Sequence, residues 1–306
     1  MRKEFSNIIE KISVENKKII FLTGDLGFLA LENIEKAIGT RFINVGVSEQ
    51  NMVSMAASLA SQGFIVICYS IAPFAVFRPA EQIRLDVCLH NMNVKIIGNG
   101  GGYGYGIMGS THHALEDIAV MSSFQNMRCY IPFCDEDVSE VVQQMMNHRG
   151  PAYLRLGKGS KPNYIKIPKY KSIRKILKGN KITIVTMGPV SLNAITAIKT
   201  FSTTNNIADV FIISEMPIIK LTKELISSIR KTKKILVIEE HVSRGGLGEN
   251  LSLELIKKSI VPTKFVHLTA RGYPNGLLGD QNFHQKQSGI DVISIQKTIK
   301  KIIYEN

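Results

Sequence analysis

Apolar positions along this chain switch repeatedly between two spacings. In 4–14, Phe5, Ile8, Ile9 and Ile12 recur at the three-and-four interval of an amphipathic helix, and 18–23 is then a short, continuous apolar run of the kind that forms a buried strand. The exchange repeats. It predicts a helix over 31–38 ended near Gly39, a strand at 41–45, a helix over 52–62 stopped by Gly63, and a strand at 64–69. A helix opening at Pro79 follows, then strands at 94–97, 127–132 and 152–156, with an amphipathic helix at 135–148. Apolar runs alternating with helices predict a parallel sheet covered on both faces. Between 158 and 179 the pattern lapses into lysines interleaved with Pro162 and Pro168, which is connector chemistry. Beyond it the alternation resumes as strand 182–186, helix 191–201, strand 208–213, helix 222–231 and strand 234–239. The expectation is therefore an α/β chain of two domains, 1–157 and 180–306, joined by a connector at 158–179, with the second sheet the smaller. No repeat of solenoid period is present.

Composition narrows the class. With 306 residues, 44% apolar and 21% charged, the chain has the make-up of an ordinary globular protein with room for two cores. No apolar run approaches the roughly 18 residues needed to span a bilayer, and the start, Met1-Arg2-Lys3-Glu4-Phe5, lacks a signal-peptide core, so a cytoplasmic protein without a membrane role is expected. Cys68, Cys88, Cys129 and Cys134 form no C-x-x-C pair and read as buried free thiols. The net charge of +13, from 38 basic and 25 acidic residues, is spread along the chain and rich in lysine. It has no arginine-aromatic stripe, which argues against nucleic acid and for a solvated surface that helps attract anionic sugars.

Three stretches carry candidate chemistry. Thr23-Gly24-Asp25-Leu26-Gly27 follows the first strand, where α/β proteins place site residues and where an aspartate also simply forms turns. Gly46-Val47-Ser48-Glu49-Gln50-Asn51-Met52 opens a helix after the second strand. Ser48 is placed to cap that helix, and Glu49 to suit its positive end. The glycine-rich run 98–109 leads into Ser110-Thr111-His112-His113-Ala114-Leu115-Glu116-Asp117. Its Gly104-x-Gly106-x-x-Gly109 matches a dinucleotide fingerprint in form only, because it does not leave a strand directly. A flexible loop that lets backbone approach a ligand is the better reading. A second glycine run, Arg244-Gly245-Gly246-Leu247-Gly248-Glu249-Asn250, begins a helix and reads as a glycine turn that could hold an anion.

Taken together and in this order, these stretches resemble the pyrimidine-binding half of transketolases, and the second half resembles the transketolase C-terminal domain. The resemblance implies a thiamine diphosphate-binding, pyrimidine-type parallel-sheet domain followed by a smaller transketolase C-terminal-like domain. It implies that Glu49 hydrogen-bonds N1′ of the cofactor's aminopyrimidine, favouring the imino tautomer whose N4′ takes the proton from thiazolium C2. By the same resemblance Asp25 lies beside the cofactor, Phe74 stacks on the pyrimidine with Arg78 nearby, and His112 handles a donor hydroxyl and a proton near the carbonyl. Ungapped counting from Glu49 puts Ala72 where the stacking ring stands, so the Pro73 turn has to shift Phe74 into place. Lys158 falls where relatives place a phosphate-binding arginine, and is equally a solvated connector lysine. His113 is a candidate supporting residue.

Departures from the family pattern bear on substrate and assembly. Met108 stands where many transketolases carry an aspartate that reads a donor hydroxyl, and Gly100 where sugar-phosphate users carry a histidine. Either the donor differs from the common pentose phosphates or a partner supplies those contacts. No Gly-Asp-Gly followed some thirty residues on by Asn, the family's metal-diphosphate motif, occurs in the chain, and no metal ligands are assigned here. The resemblance thus implies the C-terminal subunit of a split transketolase, working with a separate N-terminal subunit that carries the diphosphate and Mg²⁺, most simply as an α₂β₂ heterotetramer acting on small sugars. The β subunit of a 2-oxo acid dehydrogenase, an enzyme like deoxyxylulose phosphate synthase and a non-catalytic partner keeping only the fold stand as alternatives. Gly-Asp-Leu-Gly, Ser-Glu-Gln-Asn-Met and Thr-His-His favour transketolase over the first.

Overall fold

A computed structural model describes residues 1–201 and 206–304. The front half runs α1 (Arg2–Glu15), β1 (Ile19–Thr23), α2 (Glu32–Ile38), β2 (Phe42–Asn44), α3 (Glu49–Ser61), β3 (Ile65–Ile71) and α4 (Ala72–Phe77). Next come α5 (Ala80–Gln82), continuing as a π-helical stretch Ile83–Leu89, then β4 (Val94–Asn99), α6 (Asp117–Ser123), β5 (Arg128–Tyr130), α7 (Val138–Asn147) and β6 (Ala152–Leu156). The back half holds β7 (Ile173–Leu177), β8 (Ile182–Met187), α8 (Ser191–Phe201), β9 (Ala208–Ile213), β10 (Glu215–Met216), α9 (Lys223–Thr232) and β11 (Lys234–Glu239). It ends with α10 (Leu247–Ile256), β12 (Lys264–Leu268), α11 (Gln281–Ser288) and α12 (Val292–Tyr304).

Two sheets result. The first has seven strands in the order β10-β5-β6-β4-β3-β1-β2, all parallel except β10, which runs antiparallel to β5. The second has five, β12-β11-β8-β9-β7, with β7 alone antiparallel. Every residue of β1 is buried, and successive side chains serve opposite layers. Ile19 and Phe21 pack with α1, α2 and α7, while Ile20 and Leu22 pack with Met52, Val53 and Ala56 of α3. That second layer is continuous with the second domain, because it also takes in Phe211, Ile213, Leu225, Val237 and Leu251. The two sheets therefore share one apolar seam rather than meeting through a polar gap.

Several expectations shift. The helix expected from Pro79 is present as α5, with Pro79 at its N-cap, but a separate short helix not expected from the sequence, α4, precedes it and carries Pro73 in its first turn, where a missing N–H costs nothing. Ser48 does not cap α3 through its side chain; its hydroxyl donates to the Val45 carbonyl instead, 2.9 Å away. Ile173–Leu177, inside the stretch read as connector, is the edge strand β7. Its three apolar positions, Ile173, Ile176 and Leu177, are outweighed in the sequence by the lysines around them. Among the described residues no helix is long and apolar enough to cross a membrane.

Candidate active site

Because β1, β2, β3 and β4 are adjacent and parallel, their carboxyl ends open on one edge of the first sheet. From β1 the chain turns at Asp25, and from β2 at Gly46; one side chain ties the two turns together. Asn44 Oδ1 accepts from the amides of Asp25 and Gly46, both at 3.0 Å, while its Nδ2 donates to Asp25 Oδ1 at 3.0 Å. Asp25 is exposed and lines a cavity of about 230 Å³ with Thr23, Glu32 and Asn44.

One turn further along the edge, five side chains form a row. Glu49, the first residue of α3, is 4% exposed, and both its oxygens lie 3.0 Å from Nη1 of Arg78. The Arg78 guanidinium sits over the Phe74 ring, 3.6 Å from its centroid. Phe74 is followed by the His112 ring at 5.5 Å, and His112 by the Tyr105 ring at 5.9 Å. The short helix α4, with Arg78 as its C-cap, brings Phe74 and Arg78 into the row from one segment. Thr111 Oγ1 engages His112 Nδ1 at 2.8 Å. The structure thus gathers Glu49, Phe74, Arg78 and His112 and places Asp25 on the neighbouring lip, while Lys158 follows β6, the strand beside β4, and takes no part in the row's contacts. Lys158 is exposed beyond β6, between Gly157, whose amide meets Met1 Sδ, and Gly159, whose carbonyl accepts from the Asp135 amide.

The glycine-rich loop that delivers His112 is pinned rather than loose. Gly101 donates to the Leu156 carbonyl, Gly102 bridges Ala114, and a Cβ at Gly102 would run into Glu240. Glu240, buried and with its carboxyl pushed above the usual range by that burial, accepts from the Tyr103 amide at 2.7 Å, from Gln281 Nε2 at 2.9 Å and from Gln285 Nε2. Tyr103 is fully buried between the domains. Its hydroxyl lies 3.1 Å from the Gly272 carbonyl and from Ser288 Oγ, and its ring stacks on His284 at 4.8 Å. His113 Nε2 faces the Gly106 carbonyl at 2.8 Å and must donate, so Nδ1 accepts from the Tyr273 hydroxyl at 2.7 Å. Burial holds this imidazole down to about 4, and hence neutral.

Below the loop, Asp117 Oδ2 takes Tyr153 Oη at 2.7 Å and Arg155 Nε at 2.8 Å, fixing the start of α6. His241 Nδ1 donates to the Val242 carbonyl at 2.7 Å, and its Nε2 accepts from the Ala119 amide. The second glycine turn does hold an anion, but one of the chain's own: Glu239 accepts from the Leu247 and Gly248 amides at 2.8 and 3.0 Å and faces His267 Nε2 at 2.6 Å. Tyr105, Tyr273 and Glu240 escaped sequence reasoning, since nothing in local spacing marks them.

A parallel sheet with a buried carboxylate, a planar ring and an imidazole along its carboxyl edge, clasped by a second α/β domain, is the make-up of an enzyme subunit whose site lies open at that edge. Family comparison agrees: residues 1–163 match the family described as Transketolase, pyrimidine binding domain, and residues 172–271 match Transketolase, C-terminal domain. The chain belongs to the transketolase family, as a subunit of split-transketolase type and hence a transferase. It is 34% identical over 269 residues to one subunit of an apulose-4-phosphate transketolase from Actinobacillus succinogenes, covering 85% of this chain and 84% of that one. A protein of the same description from Phocaeicola vulgatus is 27% identical, covering 99% and 97%. Among solved structures, a split-gene transketolase described as an inactive beta4 tetramer superposes with TM-score 0.83 at 26% identity, covering 99% of this chain and 97% of that one.

Proposed function

We propose that this chain supplies the pyrimidine-side and donor-side groups of a thiamine diphosphate-dependent enzyme that moves a two-carbon ketol unit from a ketose to an aldehyde. The observation that carries the reading is the lodging of the Arg78 guanidinium between Glu49 and Phe74. A flat group bearing N–H donors is held there by a carboxylate and an aromatic face, which are the demands of an aminopyrimidine. Arg78 is 44% exposed and has room to swing aside, so the pair fits the cofactor's ring. When bound, thiamine diphosphate supplies the electron sink for breaking the carbon–carbon bond beside the ketone.

The chain's own residues do the rest. Glu49 holds a proton at N1′, and its near-complete burial keeps competing water away. Phe74 offers the ring a flat face, Arg78 keeps the carboxylate partnered before loading, and Asp25 borders the entrance from the next turn. His112, steadied by Thr111, exchanges a proton at a donor oxygen. Lys158 contributes exposed positive charge that draws in a phosphorylated sugar, the kind named for the Actinobacillus and Phocaeicola relatives.

We assign magnesium and the diphosphate to a separate N-terminal subunit. The assignment rests on the absence from the sequence of a Gly-Asp-Gly followed some thirty residues on by Asn, since magnesium on a diphosphate takes only one or two carboxylates beside carbonyl, water and phosphate oxygens. The solved relative that is inactive as a beta4 tetramer supports the need for a second kind of subunit, most simply in an α₂β₂ assembly. The four buried free thiols suit the reducing cytosol. The test is reconstitution: this chain, its candidate partner and the mixture are assayed for thiamine diphosphate binding and ketol transfer between sugar phosphates. Both appear only in the mixture; full activity of this chain alone overturns the split reading.

A further inference from the structure

We infer that Tyr105 is a specificity-determining residue whose hydroxyl donates a hydrogen bond to a hydroxyl group of the ketose beyond its transferred two-carbon unit. The inference rests on the ketol-transfer reading above and deepens it. Three observations carry it. The row of side chains is ordered, from the Glu49 carboxylate through Phe74 and His112 to Tyr105. With Glu49 engaged by the aminopyrimidine and His112 by the oxygen near the reacting carbon, the next group along faces the remainder of the sugar.

Second, the phenol is presented as a donor. Asn99 Nδ2 donates to Tyr105 Oη at 2.9 Å, and no hydrogen bond among the described residues takes the phenol's own proton. The ring is half-buried, and burial makes the phenol a weaker acid than usual, so the hydroxyl stays neutral and protonated at working pH. A neutral O–H suits a sugar hydroxyl rather than a phosphate, which calls for cationic partners.

Third, the position is built. Gly100 has φ of +75°, and a Cβ there would run into the Tyr105 ring. Any side chain at 100 and this placement of Tyr105 exclude each other. The absence of a side chain at 100 is therefore matched by a phenol that occupies its space from five residues further on.

The test uses the reconstituted complex with Tyr105→Phe, which keeps the ring and removes only the oxygen. Two donors are compared: xylulose 5-phosphate, which carries hydroxyls beyond the ketol unit, and hydroxypyruvate, which carries none. The expected result is a loss of about tenfold in kcat/KM for the ketose, with hydroxypyruvate changed less than about twofold. Thiamine diphosphate affinity and thermal stability stay at wild-type values. Asn99→Ala, which leaves the phenol unaimed, reproduces the donor-selective loss in weaker form. Equal loss with both donors, or no loss with the ketose, overturns the assignment. If the wild-type complex binds no thiamine diphosphate, the ketol-transfer reading itself fails, and the two failures are distinct.

Discussion

Two tyrosines and two histidines on one loop meet opposite fates. Tyr103 and His113 point inward, where every polar atom is taken: the Tyr103 amide by Glu240, its hydroxyl by Gly272 and Ser288, and the two His113 nitrogens by Gly106 and Tyr273. Tyr105 and His112, one or two residues away, point outward, half-exposed, and among the described residues each has one side-chain hydrogen-bond partner, Asn99 and Thr111. The second domain grips one face of the loop so that the other can be offered to a ligand in a fixed place. In this subunit the C-terminal domain is thus part of what positions the site.

That contrast can be broken by experiment. On the outward face, Glu49→Gln in the reconstituted complex should lower kcat/KM by about a thousandfold while subunit pairing, followed by size-exclusion chromatography, is unchanged. On the inward face, Glu240→Ala strands the Tyr103 amide and the two glutamine amides. It should cost about 3 kcal/mol or more in chemical denaturation before any effect on turnover is considered. Tyr273→Phe leaves His113 Nδ1 buried without a donor, and should cost about 1.5 kcal/mol in the same measurement. A drop in turnover without a drop in stability for either inward variant would erase the distinction.

The smallest effect is one of pH. His113 is held down to about 4 against an ordinary value of 6.5, so between those values the folded chain binds fewer protons than the unfolded one. Its contribution is complete above pH 6.5 and is lost as the pH falls towards 4. Melting curves between about pH 7 and about pH 4.5 should therefore fall less steeply for His113→Gln than for the wild type.

Much of the architecture was readable from apolar spacing. Strand Ala152–Leu156, helix Ser191–Phe201, strand Ala208–Ile213 and strand Lys234–Glu239 lie where the pattern places them, because buried parallel strands and their covering helices write period directly into the sequence. Glu49 and His112 stand out in the sequence through whole motifs, and the structure sets them in one row. What escaped depends on distance in sequence: the Tyr103 amide and Glu240 are 137 residues apart, and His113 and Tyr273 are 160 apart. A lone tyrosine in a glycine run, such as Tyr105, has no periodicity to betray it. Edge strands with lysine, such as Ile173–Leu177, read as solvated chain because one of their borders is open.

The two-residue strand Glu215–Met216 comes from the back half of the chain yet completes the front sheet, lying against Tyr130 and Cys129. It acts as a stitch. Parting the two halves of the chain would leave the front sheet with an unpaired edge at Cys129 and Tyr130, so the front half is not a self-contained fragment.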